Sequence, residues 1–265
     1  MLRYRSNGLS IHDASWSGVD AESCQMLALE PDSVAFVRSG VLQAHVSGVP
    51  VSIDSNHCLT VPQPLLCTPI SGHGSCTVFH VEGSFTGTPH TGTGCWVSLS
   101  DPVLFLRHWH VLCWTRSRRE EVLLIERATR GLLAELQMSF SAEQLARTAH
   151  HDALIATIKM KLNADGPAPL LLSRLATLFG MSPFTVSRTF HREVGLSIRH
   201  YHKRLRLRSA LQHMLESDED LSSIAMDLGF FDQAHFSNAF RQDFGIPPSL
   251  VLAAHRRRTA TALSV

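Results

Sequence analysis

The chain has 265 residues, of which 44% are hydrophobic and 18% are charged, with a formal net charge of +1. These values are typical of a globular protein of one or two domains, and no run of about eighteen apolar residues is present to form a membrane span. The net charge hides an asymmetry, because residues 1–165 carry 12 basic and 15 acidic side chains whereas residues 166–265 carry 12 and 8. A positive second half is what contact with phosphate groups requires.

The six cysteines all lie in the first half of the chain, and none forms a CxxC pair. The first residues lack the apolar core of a signal peptide. We therefore expect a cytoplasmic protein whose thiols are reduced and mostly buried. A disulfide or a redox switch is the alternative, and no motif in the sequence is specific for it.

Residues 1–100 contain short apolar runs of strand length, separated by turn residues. Ser39-Gly40 and Ser47-Gly48 are predicted hairpin turns, and the prolines after Val61 fit sheet edges and corners. Regular spacing of this kind predicts an antiparallel β-barrel or sandwich, whose interior has room for a small ligand.

The periodicity changes at Asp101-Pro102, where a helix cap precedes a first-turn proline. The next segment is predicted to be a helix, with a further strand as the alternative because apolar residues are dense throughout. Ser117–Glu120 and Ser141–Gln144 are capping boxes that predict two more helices, and another is expected from about Asp152 to Leu162. Helices in this position either pair across a dimer axis or cap the barrel, and the sequence favours neither.

A helix, a tight turn and a second helix are predicted between Leu175 and Phe190. Gly180 supplies the left-handed turn, Ser182 caps the second helix, and Pro183 fits its first position. This arrangement is a helix-turn-helix, a motif that places the outer face of its second helix in the major groove of DNA.

The same pattern recurs from Ile224 to Phe240, with one extra residue in the second turn. Two copies at a fixed offset are far more specific than one, although a plain helical bundle with two glycine turns is the alternative. Asp220 and Asp232 are predicted caps of the second copy. We expect the following side chains to be core: Met181, Val186, Phe190, Phe230, Phe236 and Phe240.

A long helix capped by Ser197 is predicted to join the two copies. Four cations follow one another closely on it: Lys203, Arg204, Arg206 and Arg208. Because this helix borders two candidate groove-reading helices, we interpret Lys203, Arg204 and Arg206 as phosphate contacts, with a merely solvated helix face as the alternative.

Three segments resemble the DNA-binding domain of the AraC/XylS family of transcription regulators: LATLFGMSPFTVSRTFHREVGLS, YHKRLRLRSALQHML and LSSIAMDLGFFDQAHFSNAFRQDFGIPP. The resemblance covers residues from about 152 to 250. It implies that the two reading helices lie at opposite ends of the long helix and enter successive major grooves. Carried over by position, the base contacts fall on Phe184, Thr185, Ser187, Arg188, Gln233, Ala234, His235, Ser237 and Asn238.

Among these residues, Arg188 is the strongest candidate because a guanidinium can pair with both acceptors of a guanine edge. Phe184 suits a thymine methyl group, and Gln233 or Asn238 suits adenine. His235 fits a base contact and an unengaged surface histidine equally. The chain departs from the family pattern at Asn238, where a basic residue is usual, and at residues 251–252, where Val-Leu replaces a Tyr-Arg pair.

The resemblance implies an α+β protein with two domains. We expect a cupin-like sensor barrel at 1–100, a helical dimerisation or linker region at 101–150, an AraC-type DNA-binding domain at 151–258 and a tail at 259–265. The cupin likeness rests only on the layout of the strands. The implied partners are double-stranded DNA, a second copy in a homodimer, RNA polymerase if the protein is an activator, and a small-molecule effector. The implied location is the bacterial cytoplasm, where the protein would associate with the nucleoid and not with a membrane.

The sequence does not favour catalysis. His108-Trp-His110 is the one close histidine pair with the spacing of a cupin metal site, and no Glu follows it. We therefore expect no catalytic residue, no metal and no cofactor. Three alternatives remain: a constitutive DNA-binding protein whose barrel only dimerises, a cupin enzyme fused to a DNA-binding domain, and a soft-metal sensor using scattered His and Cys residues.

Overall fold

The computed structural model describes residues 1–17, 26–46, 48–83, 95–117, 122–139, 153–164 and 172–262. Its strands, in chain order, are β1 (Leu2–Ser6), β2 (Leu9–Ser17), β3 (Leu27–Leu29), β4 (Ser33–Ser39), β5 (Leu42–Val46), β6 (Val49–Ile53), β7 (His57–Val61), β8 (Leu65–Pro69), β9 (His73–Val81) and β10 (Trp96–Leu99). The helices are α1 (Pro102–Ser117), α2 (Val122–Ser139), α3 (Ala153–Ala164), α4 (Leu172–Leu178), α5 (Pro183–Val194), α6 (Ile198–Glu216), α7 (Leu221–Asp227), α8 (Gln233–Phe244) and α9 (Pro248–Ala262).

The strands form two antiparallel sheets. The larger has the order β1-β2-β9-β4-β7-β10, and the smaller has the order β3-β8-β5-β6. Within the described ranges no strand pair joins one sheet to the other, so the predicted closed barrel is wrong and the sandwich alternative is correct. The α+β class, with strands before helices, is confirmed.

The turn at Gly40 explains part of the difference between the predicted barrel and the observed pair of sheets. A hairpin was expected there, but β4 pairs with β7 and β9 while β5 pairs with β6 and β8. Gly40 therefore lies at a corner where the chain leaves one sheet for the other. The turn at Gly48 is a true hairpin, because Val46 pairs with Val49. Turn residues of the same kind serve both geometries, and only the pairing of the flanking strands distinguishes them.

Strand β4 is buried on both faces. Ala35 and Val37 belong to the core between the two sheets, whereas Val34 and Phe36 belong to a second core beneath α1 and α2. Successive side chains of a strand point to opposite faces, so one strand supplies both cores. The outer face of the larger sheet is covered by helices, and this coverage makes β4 an interior strand.

The segment after Asp101 is a helix, and its strand alternative is wrong. Asp101 accepts hydrogen bonds from the backbone N–H groups of Val103 and Leu104, as a helix cap does. Both α1 and α2 contribute to the core on the larger sheet, which is the capping arrangement; pairing across a dimer axis stays a prediction. The predicted boxes at Ser117–Glu120 and Ser141–Gln144 fall largely or wholly outside the described residues.

Every described cysteine is free and buried, as expected for structural thiols; Cys24 lies outside the described residues. Burial raises the pKa of Cys67 and of Cys76 to about 12, so neither is a reactive thiolate. In the part of the chain that the structure describes, each helix is too short or too polar to cross a membrane.

Candidate nucleic-acid interface

Two helix pairs in the C-terminal half have the same turn geometry. In the first, the backbone N–H groups of residues 179, 180 and 181 donate to the carbonyls of residues 175, 177 and 176. The N–H groups of residues 228, 229 and 230 donate to residues 224, 226 and 225 in the same pattern. Gly180 and Gly229 have φ angles of +60° and +69°, the left-handed region that glycine adopts at little cost. The predicted internal repeat is therefore present in the backbone.

Each second helix is capped as predicted. The Ser182 hydroxyl accepts a hydrogen bond from the Thr185 N–H at 3.1 Å, and Asp232 accepts one from the His235 N–H at 2.6 Å. Both helices end at a glycine with a φ angle near +80°, Gly195 and Gly245. Short polar caps and left-handed glycine ends are local signals, which is why the sequence located these helices closely.

The outer face of α5 is open to solvent. Phe184, Thr185 and Arg188 are exposed and Ser187 is half-buried, while Val186 and Phe190 are fully buried. Phe184 is 74% exposed, which is unusual for a phenylalanine with no partner surface. The structure therefore brings the four predicted residues of the first reading helix onto one accessible face.

The outer face of α8 is open in the same way. Gln233, Ala234, His235 and Asn238 are exposed and Ser237 is half-buried. The ring of His235 is partly engaged, since its Nδ1 accepts the Phe231 N–H at 3.4 Å. This bond leaves Nε2 as the nitrogen of His235 that can contact another molecule.

One exposed residue beside this face was missed by the sequence reasoning. Phe231 is the extra residue of the second turn and is 86% exposed, directly before the cap of α8. Its position outside the repeat was the signal available in the sequence.

Met181 was expected to be core and is 38% exposed, so that prediction is wrong. The other predicted core residues of the two units are buried, as expected: Val186, Phe190, Phe230, Phe236 and Phe240.

Helix α6 holds the two units apart. Its residues Tyr201 and Leu205 belong to the core of the first unit, whereas Leu211 and Met214 belong to the core that contains the second unit. The helix has 19 residues, so it is about 28 Å long at 1.5 Å per residue. This length is comparable with the roughly 34 Å between successive major grooves on one side of a duplex.

The interpretation of α6 as a cationic surface is wrong for three of its four cations. Arg204 is buried, donates to the Ser100 carbonyl at 3.0 Å and lies 3.7 Å from Asp243. Arg206 is half-buried and donates to the Leu228 carbonyl at 2.6 Å, and Arg208 is fully buried. Arg204 and Arg206 are therefore directed into the protein. Lys203 is half-buried and is the remaining one of the three predicted phosphate contacts.

These arginines of α6 are buried because the helix packs against the sandwich. Arg208 donates to the carbonyls of Ser55 and Ser100, and its guanidinium lies 4.2 Å from the ring centre of Phe105. Burial and the charge of Arg204 lower the pKa of Arg208 to about 9. Only the fold brings these carbonyls, more than 100 positions away, to the helix.

A cluster of buried polar side chains also takes part in the contact between α6 and the sandwich. Asp54, in the β6–β7 turn, accepts hydrogen bonds from the Tyr201 hydroxyl, from His57 Nδ1 at 2.9 Å and from Asn163 Nδ2 at 3.0 Å. Lys159 Nζ donates to the Ser52 carbonyl at 2.9 Å and to His57 Nε2 at 3.2 Å. His57 is therefore neutral, with its proton on Nδ1, because one ring nitrogen donates and the other accepts.

The pKa values in the cluster follow from these contacts. Burial alone would raise the pKa of Asp54, but the His57 hydrogen bond and the Lys159 charge hold it well below its usual value. Burial and the charge of Lys159 lower the pKa of His57 to about 4, and burial lowers the pKa of Lys159 to about 8. At neutral pH the cluster contains one carboxylate, one ammonium and one neutral imidazole.

The histidine pair of the sequence is not arranged as a metal site. His108 is fully buried and stacks on Phe36, with ring centres 4.6 Å apart. Over the described ranges, no three His, Cys, Asp or Glu side chains are grouped so that they could hold a metal ion. Its burial and its stacking on Phe36 make His108 a packed core residue.

Residues 175–254 match the family described as a helix-turn-helix domain. Among curated proteins, the chain is similar to the transcriptional activator NphR of Rhodococcus sp, with 33% identity over 135 residues, 51% of this chain and 38% of NphR. It is also similar to the transcriptional activator RhaS of Klebsiella pneumoniae (strain 342), with 31% identity over 117 residues, 44% of this chain and 41% of RhaS. Each match spans less than half of the relative's length.

Among solved structures, ToxT from Vibrio cholerae O395 aligns with 92% of this chain and 97% of its own, at 13% identity and a TM-score of 0.38. An AraC-type transcriptional regulator from Chromobacterium violaceum aligns with 38% of this chain and 91% of its own, at 25% identity and a TM-score of 0.37. Both TM-scores are too low to assign a property of either protein to this chain.

Proposed function

Because residues 175–254 form a helix-turn-helix domain of the AraC type, we propose that this protein is a transcriptional regulator that binds double-stranded DNA through both helix-turn-helix units. The observation that carries the proposal is the pair of exposed faces on α5 and α8, held at the two ends of one rigid helix. A linking helix of about 28 Å is comparable with the roughly 34 Å between successive major grooves, which supports one groove for each unit.

The proposed base contacts are the predicted ones, and Phe231 is added to them. On α5 they are Phe184, Thr185, Ser187 and Arg188; on α8 they are Gln233, Ala234, His235, Ser237 and Asn238. An exposed phenylalanine next to a reading helix suits contact with thymine methyl groups and with the sugar edge of the backbone. Lys203 is the proposed phosphate contact on α6.

The sandwich is the proposed control region. We place a small-molecule effector, homodimer formation through the first half of the chain and contact with RNA polymerase in the same proposal, with the bacterial cytoplasm as the location. The buried contacts of α6 with the sandwich support it, since a change in the sandwich would act on the helix that spaces the two units. A constitutive regulator would have the same DNA-binding faces and no response to any small molecule.

Selection of bound sequences from random double-stranded DNA by the purified full chain tests the proposal. We expect an enriched site with two recognition elements about 10 base pairs apart, one for each unit. A combined Phe184→Ala and Arg188→Ala variant should lose one element, and a combined Gln233→Ala and Asn238→Ala variant should lose the other. Failure to enrich any sequence, or enrichment that both variants leave unchanged, would overturn the proposal.

A further inference from the structure

Helix α1 is buried on nearly every side. Between residues 104 and 115, Arg107 is exposed, His110 and Trp114 are half-buried, and every other side chain is buried. A helix with a single packing partner keeps one polar side in contact with water, whereas a helix that is apolar all round lies inside the protein. Helix α1 therefore has packing partners on several sides.

Two of these partners belong to the first half of the chain. His108 stacks on a phenylalanine of β4, so one side of α1 lies on the larger sheet. Arg107 pairs with Glu135, which places α2 on another side. Leu106 and Cys113 face away from both contacts, because an α-helix turns by about 100° per residue. Both are nevertheless buried, so a third partner covers them.

The third partner is the second helix-turn-helix unit. Helix α1 packs against α8, the second reading helix, and against α9. One apolar cluster contains Leu106 of α1 together with the buried face of α8: Phe236, Ala239, Phe240 and Phe244. Within the described ranges, no side chain of α4 or α5 belongs to this cluster. The sandwich helices and the second unit therefore share one core.

The first helix-turn-helix unit is packed differently. Its buried side chains, including Val186 and Phe190 of α5, form a separate cluster with α3 and the start of α6. Among the residues that the structure describes, no side chain of α1 or α2 belongs to that cluster. Leu99 of β10 packs against its edge, and the polar contacts of Asp54 join it to the sandwich. The two reading helices are thus supported by two different cores.

Polar contacts also connect the beginning of α1 with α8. The Ser100 carbonyl, directly before the cap of α1, accepts a hydrogen bond from Arg204 Nη2 at 3.0 Å. The Nε of the same guanidinium lies 3.7 Å from Asp243 Oδ2, in the last turn of α8. Arg208 donates to the same carbonyl at 2.7 Å, and its guanidinium lies 4.2 Å from the ring centre of Phe105 on α1. The beginning of α1 is therefore tied to the C-terminal end of α8.

We propose that α1 is the positioning element of the second DNA-reading helix, so that the sandwich sets the orientation of α8 through α1 and leaves α5 unaffected. Protein cores are close-packed, so a shift of α1 on the sheet is transmitted to the helix that packs on its other side. A change in the sandwich would then alter the reading of one recognition element and not of the other. The inference rests on the proposed function for its effect on DNA, whereas the packing of α8 on α1 is testable without DNA.

Hydrogen exchange of the purified full chain, without DNA, tests this packing. Leu106→Ala removes buried atoms from the core shared by α1 and α8, and Leu154→Ala removes the same atoms from the separate core of the first unit. Leu106→Ala should lower the protection of the α8 amides at least about tenfold more than that of the α5 amides. Leu154→Ala should have the opposite effect. Equal effects of Leu106→Ala on α5 and α8, or an effect confined to the sandwich, would overturn the inference.

Gel-shift titrations measure the consequence for DNA reading. They compare the selected operator with two altered operators, each with one recognition element scrambled. In the unmodified chain, scrambling the element read by α8 should weaken binding at least about tenfold. In Leu106→Ala and in Asp243→Asn this penalty should decrease at least about threefold, while the penalty for the α5 element stays the same. Asp227→Asn, which removes an exposed carboxylate from α7, should keep both penalties.

A merely structural role for α1 gives a different result. Loss of folded protein reduces binding to all three operators in proportion and leaves both penalties unchanged, which would refute the inference and leave the proposed function standing. A chain that shows the expected exchange pattern but binds no specific DNA would contradict the proposed function and leave the packing of α8 on α1 intact.

Discussion

The hydroxyl group of Tyr201 lies 2.7 Å from each carboxylate oxygen of Asp54, across 147 positions of sequence. This contact joins the helix that spaces the two DNA-binding units to the β6–β7 turn of the sandwich. Both side chains are fully buried, so the pair is shielded from solvent and from salt. The relative placement of the sandwich and α6 therefore depends in part on one phenol and one carboxylate.

Tyr201→Phe should lower the free energy of unfolding by about 1–3 kcal/mol, because it removes a charge-assisted hydrogen bond from a buried carboxylate. The chain's other tyrosine provides a matched control. Tyr4 donates only to the neutral Val122 carbonyl at 3.4 Å, so Tyr4→Phe should cost clearly less. Urea denaturation of the two variants measures the difference, and equal costs would contradict this role for the Tyr201 hydroxyl.

Acid should destabilise the protein through His57. Its pKa is lowered to about 4 by burial and by Lys159, below its ordinary value of 6.5. Between these two pH values the unfolded chain binds a proton that the folded chain does not, so stability falls as pH decreases, by up to about 1.4 kcal/mol per pH unit for one such group. Below about pH 4, protonation of Asp54 should add to the loss.

Denaturation of His57→Gln across this range provides the test of that pH dependence. The variant should be less stable at pH 7, because it disturbs the contacts to Asp54 and Lys159, but its stability should change less steeply between pH 6.5 and pH 4. His191→Gln, which removes an exposed imidazole, should keep the slope of the unmodified chain. A slope unaltered by His57→Gln would exclude His57 as a source of the acid sensitivity.

Gly40→Ala should destabilise the sandwich more than Gly48→Ala. The two glycines have nearly equal φ angles, +76° and +79°, so an alanine has the same backbone strain of about 1–2 kcal/mol at each position. A Cβ atom at Gly40 would also lie 2.5 Å from the His73 carbonyl oxygen, whereas one at Gly48 would meet nothing within 4 Å. Thermal unfolding measures the decrease in melting temperature of each variant relative to the unmodified chain. Equal decreases would show that the backbone around Gly40 shifts to accommodate the added Cβ atom at no cost.

Arg188→Ala should weaken binding to the selected operator by about 1–3 kcal/mol and relax the preference at one base pair. The physical reason is the loss of a bidentate contact to a guanine edge from an exposed guanidinium on α5. Gel-shift titrations against the operator and its single-base variants measure both effects. An equal loss on every sequence would mean that Arg188 contacts only phosphate.

Lys203→Ala and Arg204→Ala should have different effects. Lys203→Ala should weaken binding about equally on all sequences and reduce the slope of log affinity against log salt by about 1, with no large change in stability. Arg204 is buried between Ser100 and Asp243, so Arg204→Ala should mainly reduce stability. Salt titrations of DNA binding, combined with thermal melts, separate the two. A normal salt slope in Lys203→Ala would remove that residue from the interface.

The sequence alone was sufficient to predict the helix-turn-helix units, because the signals that define them act within a few residues. Ser182 and Asp232 cap their helices through side-chain bonds to the N–H three residues later, and Gly180 adopts a positive φ angle in its own turn. Helix α1 was predicted for the same reason. No distant contact is needed to specify any of these features.

The tertiary structure decided which cations face solvent and how the strands pair. Lys203 and Arg204 are adjacent on one helix, yet Arg204 is buried because Ser100 and Asp243 converge on it from other parts of the chain. Likewise, Ser39-Gly40 has the composition of a hairpin turn, but the partners of β4 and β5 lie in different sheets. Burial and strand pairing depend on contacts between residues far apart in the chain, and no local pattern encodes those contacts.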